Sequence, residues 1–330
     1  MTTRTQERSA DREDPVVVDA PFGIALAEMA NRRPDVAVLA ADLSNYTDVI
    51  GFAEAHPDRF LQIGMAEQNL MGVAAGIAKT GLVPIITTYC VFATRRSYEQ
   101  VALALCTARR PLVIAAFLPG ITTPFRATHQ GTDDLALMRN IPGMTLIDPM
   151  DATELAAALT AAVDLGGPVY LRGLRGRVKQ HFDPASYRFE VGKTHLLRGG
   201  NDVGIISTGL GSEWALQAAE VLSARGVHAA VLHVPTIKPL DAQAIQAFCE
   251  RFSVVYTLEN HARTGGLGTA VAEVLAEVGA NTRLRRLGVP DSWAPAGSLD
   301  HIRSELGLDP IGIADTVGSD QYITTVARAQ

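Results

Sequence analysis

Glu67 opens an apolar run, in the stretch Gly64-Met65-Ala66-Glu67-Gln68-Asn69-Leu70-Met71. Leu70, Met71, Val73, Ala74, Ile77 and Ala78 recur at the spacing of a buried helical face. Leu70 and Met71, three and four residues on, share the side of Glu67, so its carboxylate runs along that face. Two kinds of chemistry suit such a group. A first-turn acid is favoured by the helix dipole by roughly 0.3–1 kcal/mol and needs no other role. A carboxyl among apolar neighbours can instead share a proton with a bound heterocycle. Tyr89 and Phe92, just downstream, favour the second, because stacked aromatics give a flat ring a specific seat.

His129 lies in Thr128-His129-Gln130-Gly131, at the end of an aperiodic loop over 118–130. The loop follows a continuous apolar strand predicted over 111–117. Open α/β sheets place ligands at such C-terminal strand ends. An imidazole there titrates near neutrality and can pass protons. A loop histidine bonded to a backbone carbonyl is the alternative. Asp42 and Ser44 follow the strand predicted over 36–40, where they could meet a ligand or form a turn capping the next helix.

These residues need a scaffold in which strand and helix alternate. Strands are expected over 36–40, 83–88, 111–117, 145–147 and 169–172, with helices over 21–31, 133–140 and 152–163. A further helix should carry Arg95, Arg96 and Tyr98. The pattern fades into a basic, turn-rich segment and then restarts. Strands follow over 203–207, 229–233 and 254–258, with helices over 212–224, 241–252 and 269–278. The fold class is therefore α/β, with two consecutive parallel-sheet α/β domains. We expect a disordered tail over 1–15, a first domain over 16–175, a linker over 176–198 and a second domain over 199–330. Thr208-Gly209-Leu210-Gly211 and Gly265-Gly266-Leu267-Gly268 lack the G-x-G-x-x-G spacing and read as tight turns.

With 330 residues, 47% of them hydrophobic, the chain can bury two cores. A net charge of −6, a pI near 5.8 and the lack of a basic run with interleaved aromatics argue against nucleic acid as a partner. No apolar segment reaches the ~18 residues of a membrane span. Cys90, Cys106 and Cys249 are far apart and form no C-x-x-C pair, which suggests neither a disulfide nor a zinc site and fits a reduced cytoplasm.

Three motifs carry a resemblance: Gly64-Met65-Ala66-Glu67-Gln68-Asn69, Phe92-Ala93-Thr94-Arg95-Arg96-Ser97-Tyr98-Glu99-Gln100, and Thr128-His129-Gln130-Gly131 through Asp134-Leu135-Ala136-Leu137-Met138-Arg139. Over about residues 20 to 325 the chain resembles the C-terminal, or beta, subunit of a split, thiamine-diphosphate-dependent transketolase. The resemblance implies a pyrimidine-binding domain followed by a transketolase C-terminal domain. It implies that Glu67 bonds the aminopyrimidine ring and promotes loss of the thiazolium C2 proton to give the ylid. Phe92 matches the ring-stacking aromatic, Tyr89 a pocket neighbour, and Asp42 and Ser44 weaker cofactor-side or substrate-side contacts. His129 matches a histidine that faces the substrate oxygens. Arg172 matches a phosphate-binding arginine, and Arg126 offers a further anion contact.

Two departures bear on the substrate. Phe125 stands where a donor-binding aspartate is usual in that family, and Phe117 where a histidine contacts the sugar. No Gly-Asp-Gly occurs, so the resemblance places Mg2+ and the diphosphate on a partner alpha subunit, in an α2β2 assembly acting on sugars or sugar phosphates. The expected activity is transfer of a two-carbon ketol unit from a ketose to an aldose. Two alternatives are the beta subunit of a 2-oxo acid dehydrogenase's decarboxylating component and a non-catalytic stabilising partner.

Overall fold

Four strands of the first half, β2 (Val36–Ala40), β4 (Val83–Tyr89), β5 (Leu112–Phe117) and β7 (Pro168–Gly173), are buried at every residue. Only a sheet covered on both faces can hide such runs. The computed structural model describes residues 16–107 and 109–323, so the predicted tail over 1–15 lies outside the described residues. The other strands of this half are β1 (Val17–Asp19), β3 (Phe60–Gln62) and β6 (Thr145–Ile147). The second half adds β8 (Arg177–Lys179), β9 (His195–Arg198), β10 (Val203–Ser207), β11 (Ala229–His233), β12 (Thr236–Lys238), β13 (Val254–Ala262) and β14 (Arg283–Val289).

The first sheet has seven strands in the order β12-β6-β7-β5-β4-β2-β3, and all but β12 run parallel. Its two faces follow the strand period. Ile86 and Ile114 pack on one side with Leu70, Met71 and Ala74 of the helix Glu67–Lys79. Ile85 and Val113 pack on the other with Phe22, Leu26 and Leu155. The second sheet has the order β14-β13-β10-β11-β9.

Both sheets are parallel as expected except for one outer strand each, β12 in the first and β9 in the second, which the expectation lacks. The segment over 176–198 is structured at both ends: β8 pairs with β1, and β9 adds antiparallel to β11. Strand β12, from the second half of the chain, crosses over and pairs antiparallel with β6 of the first sheet. Antiparallel outer strands are common on such sheets, and strands of three or four residues carry too little alternation to be read in advance.

A polar network binds the two halves. Arg172, 1% exposed, donates through Nε to Asp134 at 2.9 Å and through Nη1 to Asp148 at 3.2 Å. Asp148 also accepts from Thr208 Oγ1 at 3.1 Å, and Arg172 Nη1 reaches the Asn260 carbonyl at 3.3 Å. Beside it Glu154, from the helix Ala152–Asp164, bonds His233 Nε2 at 2.8 Å, and His233 Nδ1 meets Ser212 at 2.7 Å. All three of these residues are fully buried, so the triad-like order of groups ties elements together and meets no substrate.

Candidate active site

The helix Glu67–Lys79 begins after Gly64, whose φ of +85° a side chain would strain. Glu67 is 4% exposed. Its surroundings are less apolar than the sequence implies, because Arg96 Nη1 donates to both carboxylate oxygens at 3.1 and 3.2 Å. The same guanidinium lies 3.9 Å from the centroid of Phe92 and covers one face of that ring. Arg96 is the residue sequence reasoning missed here.

Local backbone explains why. Phe92–Arg96 is a π-helical turn, followed by the short α-helix Tyr98–Gln100 and a second π-helical segment, Val101–Cys106. A π-turn is wider than an α-turn and often marks a functional site. It sends neighbouring arginines apart. Arg96 turns to Glu67 and Phe92, while Arg95 pairs with Asp133 at 2.8 Å and donates to the carbonyls of Ala127 and Gln130 at 2.8 and 3.3 Å.

Phe92 and Tyr89 lie 5.8 Å apart and 27° from parallel. His129 meets Phe92 at 5.4 Å, Tyr89 at 6.3 Å and Phe125 at 5.2 Å, so three aromatic rings surround the imidazole. Its Nδ1 contacts Thr128 Oγ1 at 2.9 Å rather than a backbone carbonyl. The loop is held from the second sheet: Asn260 Nδ2 donates to the Pro119 carbonyl and Asn260 Oδ1 accepts from Ile121 N–H, both at 2.9 Å. Gly120, φ +57°, is required there, since a Cβ would lie 2.1 Å from Asn260 Oδ1. Nothing in the sequence marks Asn260 for this task.

A cavity of about 610 Å³ opens beside Tyr89 and Phe125, lined also by Tyr46, Leu118, Thr122 and Arg175. Arg175 stacks 5.5 Å over Tyr46 and makes no direct ion pair among the described residues, although its charge acts on the half-buried Asp48 carboxylate. Burial raises the pKa of the Tyr89 hydroxyl, partly offset by this guanidinium. Phe125, 61% exposed, lines the cavity, whereas Phe117 is buried in the core edge-on to Phe22.

Burial corrects the expectation for Arg172, while Arg126 and the Asp42–Ser44 pair lie at separate places on the surface. Arg172 cannot meet a substrate phosphate, because Asp134 and Asp148 occupy its guanidinium inside the core. Arg126, φ +55°, lines a separate cleft with Trp293 and Glu305. Asp42 and Ser44 gather instead around Gln62: the Asp42 N–H donates to Gln62 Oε1 at 2.8 Å, and Gln62 Nε2 reaches Ser44 Oγ at 3.4 Å. They make no contact with the aromatic group in this chain. Arg175 is the cation that the spacing did not single out.

The donor set fits one end of a heterocyclic cofactor. A buried carboxyl, a ring-sized aromatic pair and an imidazole converge, and Thr88 Oγ1, at the same end of β4 as Tyr89, is buried without a partner. Among the described residues no group of three or more His, Cys, Asp or Glu is placed to hold a metal ion. No helix there is long and apolar enough to cross a membrane.

Fold and site together define a two-domain α/β protein with a cavity beside the strand ends of its first sheet. Residues 15–180 match the family described as transketolase, pyrimidine binding domain, and residues 192–313 the one described as transketolase, C-terminal domain. The chain belongs to the transketolase family. An uncharacterized transketolase family protein, y4mN of Sinorhizobium fredii, is 46% identical over 93% of this chain and 90% of its own length. The 6-deoxy-6-sulfo-D-fructose transketolase subunit SqwH of a Clostridium species is 39% identical over 86% of this chain and 88% of its own. A solved structure of a split gene transketolase, an inactive beta4 tetramer, shares 37% identity at a TM-score of 0.81, covering 90% of this chain and 96% of that one.

Proposed function

We propose that the chain is the beta subunit of a heteromeric transketolase that moves a two-carbon ketol unit from a ketose or ketose phosphate to an aldose. The half-site carries this reading: a buried carboxylate, an aromatic seat and an imidazole on one chain. Relatives matched over most of their length include a transketolase subunit and a split gene transketolase, which supports a separate alpha subunit. That subunit would hold Mg2+ and the diphosphate end of thiamine diphosphate, in a twofold α2β2 assembly. The buried thiols of Cys90, Cys106 and Cys249 suit the reduced cytoplasm.

Thiamine diphosphate, when bound, supplies the carbanion chemistry that breaks and re-forms the bond beside the donor carbonyl. Glu67 would hold its pyrimidine nitrogen and share a proton there, and Phe92 with Tyr89 would seat the ring. Arg96 must then share Glu67 or release it. His129, enclosed by aromatic rings, takes and returns a proton at a substrate oxygen. The three rings limit the water around that transfer. Arg175 offers a planar fork that can bond two oxygens of an anionic donor. SqwH is named for a sulfonated ketose, and a sulfonate, like a phosphate ester, presents three terminal oxygens on a tetrahedral anion, with one negative charge where the ester carries about two. The donor class we propose is therefore an acid-bearing ketose.

Co-purification with the alpha subunit, followed by a ketose/aldose exchange assay with thiamine diphosphate and Mg2+, tests the reading. Exchange in the assembled complex is expected. An assembled complex that decarboxylates a 2-oxo acid instead, or has no activity, contradicts it.

A further inference from the structure

A second cleft, of about 1140 Å³, runs along β14, the outer strand of the second sheet, and shares no lining residue with the Tyr89–Phe125 cavity. Its charges do not cancel. Arg95 is matched by Asp133 at 2.8 Å, and Arg285 by Asp320 at 3.4 Å. Arg263 and Arg286 remain, against the single carboxylate of Asp291. Arg286 is held in place by neutral groups only, donating to the Arg263 carbonyl at 2.9 Å and to Thr269 Oγ1 at 3.4 Å. Neither Arg263 nor Arg286 has a carboxylate partner among the described residues, so the cleft favours an anion.

The same cleft presents an indole. Trp293 is 70% exposed, with the Arg95 guanidinium 5.5 Å from its ring. A lone exposed aromatic is ordinary on a protein surface. An indole facing a cleft with uncancelled guanidinium groups is a pairing that suits a ligand with a flat ring and a phosphate. We propose that this cleft binds a phosphorylated molecule of the nucleotide class, separately from the catalytic site. Arg95 gives the cleft a link to that site, since it also bonds the Ala127 and Gln130 carbonyls on either side of His129.

Trp293 supplies its own reporter, because the other tryptophan, Trp214, is 2% exposed and packed in the core. The test is titration of the full chain with ADP, following tryptophan emission excited beyond the nucleotide's absorption, with calorimetry alongside. ADP should give a saturable change at millimolar concentration or below, and inorganic phosphate a weaker one. Glu67→Gln, which alters the catalytic site and not the cleft, should bind ADP as the wild type does. Arg263→Ala with Arg286→Ala should weaken ADP by about tenfold or more. Trp293→Phe should abolish the emission change and leave a calorimetric signal. If the double variant fails to fold, Arg263→Ala alone serves, since no side-chain bond of Arg263 is seen among the described residues. The proposal is overturned if emission does not saturate, if chloride at equal ionic strength has the same effect, if the arginine variants bind ADP as before, or if Glu67→Gln weakens ADP as much as the arginine variants do.

Discussion

Glu67 concentrates the chemistry proposed for this chain in one buried carboxylate. Gln is nearly isosteric with it and can still hydrogen-bond, but cannot exchange the proton. In the assembled protein Glu67→Gln should leave folding and assembly intact and slow C2–H exchange of thiamine diphosphate by ~10²–10⁴-fold, read by NMR in heavy water. Wild-type exchange would return Glu67 to a helix-terminal charge. Arg175→Ala should selectively weaken anionic donors, by roughly 1.5–3 kcal/mol, as a raised KM. Equal losses for acidic and neutral sugars would count against that role. Tyr89, Phe92 and His129 were nominated by the family resemblance together with their place after strand ends, Tyr89 closing one strand and His129 lying in the loop that follows another. The same reading was silent on Arg96 and Arg175, and it misplaced Arg172. A cation at the end of a strand looks the same in sequence whether it faces a pocket or an interface. Two carboxylates distant in the chain, Asp134 and Asp148, decide which it does.

At the scale of elements, the loop over 118–130 is the part most dependent on distant support. Gly120→Ala would place a methyl against Asn260 in a left-handed backbone, at a cost of about 1–3 kcal/mol. We expect a lower denaturation midpoint and a larger proportional loss of activity, because the His129 loop is what moves. An unchanged KM and kcat would show that Asn260 does not set the loop. The long buried strands were legible because their apolar runs end at turn residues. The π-turns were not, since a helix of either pitch shows similar apolar recurrence over five or six residues. Strands β9 and β12 were lost for a related reason: their identity comes from the strands they pair with.

Across the whole molecule the two halves meet at buried polar groups: the Arg172–Asp134–Asp148 cluster of the first half bonds Thr208 and the Asn260 carbonyl of the second, and Glu154 bonds His233. Removing Arg172 would strand Asp134 and Asp148, so Arg172→Met should cost about 3–5 kcal/mol in denaturant unfolding and act on stability rather than on phosphate recognition. Glu154 adds a pH dependence. Burial raises its pKa, but His233, with its hydrogen bond, and the Tyr187 hydroxyl outweigh this and leave it below the ordinary value. A lowered folded pKa gives stability that is complete above the unfolded value, about 4.3, and is lost as pH falls through the folded one. Asp148 and Glu259, raised mainly by burial, act in the opposite sense. The difference between wild type and Glu154→Gln therefore isolates the group, and that difference should shrink below about pH 4. A constant difference from neutral to acid pH would show that Glu154 does not titrate in this way. The central claim, that this chain holds only the ring end of a shared site, is tested most directly by calorimetry of thiamine diphosphate with Mg2+. We predict weak binding to the chain alone and tight binding once the alpha subunit is added. Sub-micromolar binding by the chain alone would contradict it.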